Sequence, residues 1–201
     1  MLIIFAMFAI LVGTQSNWIQ SIDTFGEVSL KYRENTSLQI FFSFMTRFGD
    51  YLNVVIASII VCLILILNKK KSLVIWFSLT MGFCAALIPY SLKLGIARAR
   101  PVSLDVQRAG YSFPSGHVTG SSVFYGLLLV LIFMYCKNRV VNIIATCVYI
   151  LLIGLIAASR VYLGVHFLSD VIASIFLGGG MVLISTWIYL KSQNEDSTNQ
   201  K

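Results

Sequence analysis

Residues 141–170 have the sequence VNIIATCVYILLIGLIAASRVYLGVHFLSD. The first 18 of them carry no charge, and a helix needs roughly 20 mostly apolar residues to cross a bilayer. Ser159 and Arg160 follow at once, with His166 and Asp170 a few residues further on. Ionisable groups this close to a membrane are costly and usually mark function. The stretch therefore predicts a membrane-spanning helix with reactive residues at its end.

The composition extends this prediction to the whole chain. The 201 residues are 58% hydrophobic and 11% charged, with a mean hydropathy of +0.85, against about 25% charged residues in soluble proteins. Six stretches are long and apolar enough to span, at about 2–18, 52–68, 73–92, 118–136, 141–158 and 167–190. The predicted fold class is an all-α integral membrane protein, with six transmembrane helices in one bundle. Residues 1–201 form a single domain without repeats, and the polar tail from about 193 to 201 is predicted to be disordered.

Two regions leave alternatives open. The first apolar run is short and no basic residue precedes it, so a cleaved signal peptide competes with the favoured uncleaved helix. The segment 19–51 is crowded with aromatic residues between 38 and 48, which suits a helix in the outer interface. That helix could gate lipid entry or serve as a packing plug.

The net charge of +7 is divided among several loops, which favours anionic lipid and not nucleic acid as the electrostatic partner. Basic residues are densest in one set of short connections: Lys69 to Lys71, Lys137 with Arg139, and Lys191 with Lys201 after the last span. By the positive-inside rule we expect these connections and both termini to be cytoplasmic, with the reactive residues outside. The four cysteines lie within predicted spans, which indicates apolar packing and not a disulfide or metal framework.

Lys93 and Arg100 stand at the end of the third span, with Pro101 fixing the backbone beyond them. Taken alone they could be a snorkelling lysine and an interfacial arginine. Together with the segments below they predict two cations held at one membrane surface. Arg98 and Arg108 keep the structural interpretation.

Pro114-Ser115-Gly116-His117 immediately precedes the fourth span. Glycine permits close approach of a ligand, and the first N–H groups of a helix have no intrahelical partner. The segment predicts an anion site, with Ser115 as a hydroxyl donor and His117 as a proton source. A simple helix cap is the alternative.

His166 and Asp170 are four residues apart at the start of the sixth span and share one helix face. A carboxylate in this position can fix the imidazole tautomer and make the other ring nitrogen a nucleophile. A purely structural pair is the alternative.

Three segments together resemble the motifs of the type 2 phosphatidic acid phosphatase family, without departure from its pattern. They are Lys93 with Arg100-Pro101, Pro114 to His117, and Ser159-Arg160 with His166 and Asp170. The resemblance is to the bacterial membrane members, which implies a bacterial cell membrane. The resemblance implies that His166 attacks phosphorus to give a phosphohistidine, that Asp170 orients it, and that His117 protonates the leaving group. It further implies that the phosphoryl oxygens are held by Lys93, Arg100, Ser115, Gly116 and Arg160, with no metal or cofactor. Two histidines and one close carboxylate are also a poor ligand set for a metal ion.

The favoured function is hydrolysis of the terminal phosphate of a membrane lipid: phosphatidylglycerol phosphate, phosphatidate or an isoprenoid pyrophosphate. A phosphotransferase or haloperoxidase with the same pocket and a non-enzymatic transporter or scaffold are the alternatives. The sequence does not distinguish among the lipids or predict an oligomeric state.

Overall fold

The computed structural model describes residues 1–30, 36–101 and 110–199. The helices are α1 Leu2–Gly13, α2 Asn17–Leu30, α3 Thr36–Arg47, α4 Tyr51–Leu67, α5 Lys71–Thr80, a π-helical segment Met81–Leu87, α6 Ile88–Ile96, α7 Gly116–Tyr135, α8 Arg139–Tyr162 and α9 Leu168–Asn199. The all-α membrane fold predicted from the sequence is confirmed.

Four continuous helical stretches are long and apolar enough to cross a membrane: Lys71–Ile96, Gly116–Tyr135, Arg139–Tyr162 and Leu168–Glu195. Two bent pairs raise the number to six if each pair is one span: Leu2–Gly13 with Asn17–Leu30, and Ser37–Arg47 with Tyr51–Leu67. Helix α1 has 12 residues, about 18 Å at 1.5 Å per residue. The first span, predicted at about 2–18, is therefore not one straight helix, because the chain turns by 95° between α1 and α2 near Gln15, which has a φ of 50°.

The polar tail from about 193 to 201, whose disorder stays a prediction, overlaps the end of α9. Helix α9 continues through the polar residues to Asn199. Lys191 and Glu195 are an i,i+4 ion pair at 3.8 Å on this extension, and such pairs give modest support to a helix. Residues 200 and 201 lie outside the described part of the chain.

Helices α7 and α9 form the centre of the bundle, where close contact depends on glycine. A Cβ on Gly178 of α9 would lie 2.6 Å from Cβ of Ser122 on α7, and one on Gly180 would lie 2.6 Å from Cδ2 of Leu2. The glycine run 178–180 thus brings α9 against α7 on one side and α1 on the other. Small residues at a helix interface permit such close approach of the backbones.

The described residues of the segment 19–51 belong mostly to α2 and α3. Within it, Phe42 of α3 packs against Tyr162 of α8 with ring centroids 4.6 Å apart. The Gly49 backbone at the elbow between α3 and α4 lies close to α7, since a Cβ there would be 2.9 Å from Oγ of Ser121. Tyr125 of α7 also donates its hydroxyl to the Phe48 carbonyl at 3.1 Å. The aromatic helix is confirmed, and its role as gate or plug stays open.

Short connections join α7 to α8 and α8 to α9, whereas residues 97–115 separate α6 from α7. The end of α6, the start of α7, the end of α8 and the start of α9 meet at one end of the bundle, where Lys93 contacts Tyr111, Arg100 contacts Val165 and Ser115 contacts Ser174. All the motif segments singled out in the sequence lie at this end. The connections with Lys69–Lys71 and Lys137–Arg139 lie at the other.

Candidate active site

His166 lies in the tight connection between α8 and α9. Gly164 has a φ of 64°, a left-handed conformation that glycine adopts without steric cost, and it reverses the chain after α8. The N–H groups of Val165 and His166 both point to the Arg160 carbonyl, at 3.1 and 3.3 Å. This turn fixes the backbone of His166 against the end of α8.

The two ring nitrogens of His166 face groups of opposite charge. Nδ1 lies 3.4 Å from Oδ2 of Asp170, and Nε2 lies 3.3 Å from a guanidinium nitrogen of Arg100. A proton on Nδ1 shared with the carboxylate leaves Nε2 with its lone pair directed toward the arginine. Arg100 is itself held by the carbonyls of Val165 and Gly110, at 2.9 and 3.1 Å.

His166 is 3% exposed and Asp170 is fully buried. Burial lowers the pKa of His166 from its usual 6.5 to about 4, and the nearby cations Arg160 and Arg100 act in the same direction, against the opposing effect of Asp170. The imidazole is therefore neutral at physiological pH, which is the form that a nucleophile requires.

Arg98, interpreted from sequence as a structural interfacial arginine, instead belongs to the Asp170 environment. Its guanidinium forms ion pairs with Asp170 and with Asp23 of α2, and donates to Oγ of Ser169 at 2.8 Å. The turn that brings Arg98 here begins at Ala97, which has the unusual left-handed φ of 50°. Arg98 is thus an ion-paired residue beside the predicted site and not an isolated arginine at the interface, while Arg108 lies outside the described residues.

The start of α7 is attached to the start of α9 through one serine. The Ser115 N–H donates to Oγ of Ser174 at 2.8 Å, and that hydroxyl donates to the Asp170 carbonyl at 2.6 Å. The Ser115 Oγ is buried and has no hydrogen-bond partner among the residues that the structure describes. Two helix N-termini, each a region of positive electrostatic potential, therefore lie side by side at the site.

His117 is paired with a carboxylate that the sequence analysis did not select. Its Nε2 lies 2.8 Å from Oδ1 of Asp50, at the elbow between α3 and α4. The side chains are 20% and 43% exposed, so this pair is open to solvent. No pattern in the sequence links two residues 67 positions apart.

The remaining two predicted cations lie nearby. Arg160 is 1% exposed and donates to Oγ1 of Thr46 at 2.6 Å. Lys93 donates its ammonium to the Tyr111 carbonyl at 2.8 Å and lies within electrostatic reach of Arg100, Arg160 and Asp170. The structure thus brings all eight predicted site residues to one end of the bundle.

A cavity of about 1010 Å³ connects this end to the membrane interior. Lys93, Gly116 and His117 line its polar end, and α4 lines it from Tyr51 to Ile66, a distance of about 22 Å at 1.5 Å per residue. The π-helical segment contributes small residues, Gly82, Ala85 and Ala86, to the opposite wall. The cavity therefore runs from Lys93 and His117 into the apolar part of the bundle.

No group of three or more His, Cys, Asp or Glu side chains in the described ranges is arranged to hold a metal ion. The expectation of a metal-independent reaction stays a prediction.

The bundle is similar to two solved structures. One is the crystal structure of the first transmembrane PAP2 type phosphatidylglycerolphosphate phosphatase from Bacillus subtilis, at TM-score 0.82 and 22% identity over 94% of this chain and 96% of that one. The other is LpxE of Aquifex aeolicus, at TM-score 0.62 and 22% identity over 81% and 93%. At this level of identity the two likenesses concern the fold.

Sequence comparison leads to the same group. Phosphatidylglycerophosphatase B of Bacillus subtilis (strain 168) is 36% identical over 93 residues, which are 43% of this chain and 44% of that protein. The aligned part is thus less than half of the relative's length. The model of the PAP2 superfamily matches residues 73–194. That match covers more than half of the sequence and includes the eight predicted site residues, so the chain belongs to the PAP2 superfamily.

Proposed function

We propose that this chain is a membrane lipid phosphatase. It removes the terminal phosphate from a phospholipid such as phosphatidylglycerol phosphate or phosphatidate, or from an isoprenoid pyrophosphate. The observation that carries the proposal is the cavity that joins Lys93 and His117 to the space between membrane-spanning helices. A lipid phosphate would fit this cavity, with its phosphate at the polar end and its hydrocarbon chain along α4.

The polar end suits the phosphoryl group. Lys93, Arg100 and Arg160 supply three cations, and the α7 N-terminus supplies N–H donors at Gly116. A phosphoryl oxygen would also give the buried Ser115 hydroxyl the partner that it lacks in the described part of the structure.

In the first step, Nε2 of His166 attacks phosphorus, and the bond from phosphorus to the lipid oxygen breaks. Asp170 accepts a hydrogen bond from the Nδ1 N–H, which stays on the ring, and its negative charge stabilises the positively charged ring that forms. The protonated His117 gives its proton to the departing alkoxide. The products of this step are a phosphohistidine and the dephosphorylated lipid.

In the second step, water attacks the phosphohistidine and the bond from nitrogen to phosphorus breaks. The neutral His117 takes a proton from the water, so inorganic phosphate leaves and both histidines return to their initial states. The three cations hold the equatorial oxygens throughout, and the proposed reaction uses no metal ion.

The experiment is phosphate release by the purified protein in detergent, with phosphatidylglycerol phosphate tested first because of the name of the aligned relative. Phosphatidate and an isoprenoid pyrophosphate complete the panel, and His166→Ala is the matched control. We expect release that survives chelation by EDTA. Release from no lipid, or equal release by His166→Ala, would contradict the proposal. Transfer of the phosphate to added glycerol would identify a phosphotransferase instead.

We also propose that the chain works as one membrane domain with the site outside and both termini in the cytoplasm. The support is the dense basic connection Lys69–Lys71 at the end opposite to the site. In a cysteine-free background, Ser29→Cys, at an exposed position of α2, should react with an impermeant thiol reagent in intact cells. Lys70→Cys should react only after lysis. The reverse pattern would overturn this orientation.

A further inference from the structure

We propose that Arg98 and Asp23 are positioning residues, which hold Asp170 and through it set the orientation of His166. The inference rests on the proposed function of His166 as nucleophile. It concerns two residues outside the phosphate-binding set, one of them on α2, which the sequence motifs do not include.

Arg98 uses its guanidinium as a bridge between two carboxylates. One nitrogen contacts Oδ1 of Asp170 and Oγ of Ser169, and the other contacts Oδ2 of Asp23. The planar group also lies over the ring of Phe167, 4.2 Å from its centroid. A flat, forked cation fits this arrangement, whereas the point charge of a lysine does not.

The two oxygens of Asp170 consequently have different partners. Oδ1 pairs with Arg98, while Oδ2 accepts the Phe167 N–H at 3.0 Å and faces Nδ1 of His166 at 3.4 Å. Rotation of the carboxylate would break the contact with Arg98. The ion pair therefore keeps Oδ2 directed at the imidazole.

Asp23 holds both Arg98 and the start of α9. It is 5% exposed, and its Oδ1 accepts the Ser169 N–H at 2.9 Å while its Oδ2 pairs with Arg98. Helix α2 lies close to this point, because a Cβ on Gly26 would be 2.6 Å from Cβ of Leu168. A carboxylate from α2 thus fixes the helix end that carries Asp170.

Arg98 is not placed to bind the phosphoryl group. It lies on the Nδ1 side of His166, behind Asp170, while Arg100 lies on the Nε2 side. Its charge is also balanced by two carboxylates, so the cluster of Arg98, Asp23 and Asp170 has a net negative charge. A dianionic phosphate would be repelled there.

The test compares Arg98→Gln, Arg98→Lys and Asp23→Asn with Arg139→Gln, which removes an exposed arginine at the other end of the bundle. On a soluble short-chain phosphate ester, we expect kcat to fall on the order of 100-fold in Arg98→Gln, because a misplaced reacting group costs about that much. KM and inhibition by inorganic phosphate should stay unchanged. The fall in kcat should be smaller in Arg98→Lys and Asp23→Asn, and Arg139→Gln should keep its full kcat.

A second readout does not depend on turnover. In a His117→Gln background, His166 is the only histidine, so ¹⁵N NMR reports its tautomer. With Arg98 present, we expect the neutral His166 ring to carry its proton on Nδ1. In Arg98→Gln we expect a mixture of the two tautomers. The inference would be overturned if Arg98→Gln left the ¹⁵N spectrum unchanged and lost kcat only in proportion to the loss of folded protein. It would also be overturned if Arg98→Gln kept its kcat but was inhibited more weakly by inorganic phosphate. If the unsubstituted protein releases no phosphate, the proposed function fails, and the tautomer measurement still decides the inference.

Discussion

The site contains two pairs of histidine and carboxylate whose surroundings differ. His166 and Asp170 are 3% and 0% exposed; His166 lies just before α9 and Asp170 lies in its first turn. His117 and Asp50 have side chains that are 20% and 43% exposed, and come from separate parts of the chain. The same two chemical groups are thus present once in a closed environment and once in an open one.

This difference matches two kinds of proton chemistry. A nucleophile must keep its lone pair, and the buried, neutral His166 does so at physiological pH. A general acid and base must gain and lose protons in each turnover, which is easier beside solvent. The predictions below separate the two pairs on this ground.

The largest effect is expected for His166→Ala. Without this nitrogen no phosphohistidine forms, so activity should fall by a factor on the order of 10⁴ or more on every substrate. Acid-labile phosphate trapped on the natural chain should map to residue 166 and be absent from the variant. Trapping on His117 would reverse the assignment.

His117→Ala should have a large effect that depends on the leaving group. General acid catalysis contributes about 10²- to 10⁴-fold, so a lipid substrate should lose that much. A nitrophenyl phosphate needs little protonation to depart and should lose far less. The measurement is kcat/KM for both esters, and equal losses would mean that His117 is not the acid.

The closed pair could be predicted from sequence because its determinants are local. His166 and Asp170 are four residues apart after an uncharged apolar span, a spacing that predicts a contact. The contact is present, although His166 lies before the first residue of α9 and not on the helix face that the spacing predicted. The membrane class and most span boundaries follow equally from composition and length. The i,i+4 spacing and the apolar run were sufficient here.

The open pair and the support of the closed pair could not be predicted because their contacts are distant in sequence. Asp50 reaches His117 through the elbow at Gly49, and Asp23 reaches Arg98 because α1 and α2 bend by 95°. Ala97 turns the chain with a φ of 50° without the glycine that would have indicated such a turn. Only the tertiary fold brings these residues together.

The pH response of the closed pair is a smaller but direct test. Burial lowers the pKa of His166 to about 4, which corresponds to proton binding roughly 300-fold weaker than at the usual 6.5. In phosphate-free His117→Gln protein, ¹⁵N NMR should show a neutral imidazole at about pH 5.5. Because the unfolded chain binds this proton first, folding stability should fall as the pH is lowered from 6.5 toward 4. A titration midpoint of His166 near pH 6.5 would show that the pair of His166 and Asp170 is not closed to solvent.

The smallest effect is expected for Asp50→Asn, which keeps the shape of the open pair and removes its charge. Asp50 is 43% exposed, and solvent weakens charge interactions at such positions. We expect turnover of a lipid phosphate to fall by about ten-fold, less than the roughly 10²- to 10⁴-fold of a full acid–base contribution, because His117 itself remains. A nitrophenyl phosphate should be almost unaffected, since Asp50 acts only through His117. Glu27→Gln, which removes an exposed carboxylate from α2, is the matched control and should change neither rate. If Asp50→Asn slowed both esters equally, Asp50 would serve the elbow between α3 and α4 and not the proton transfer.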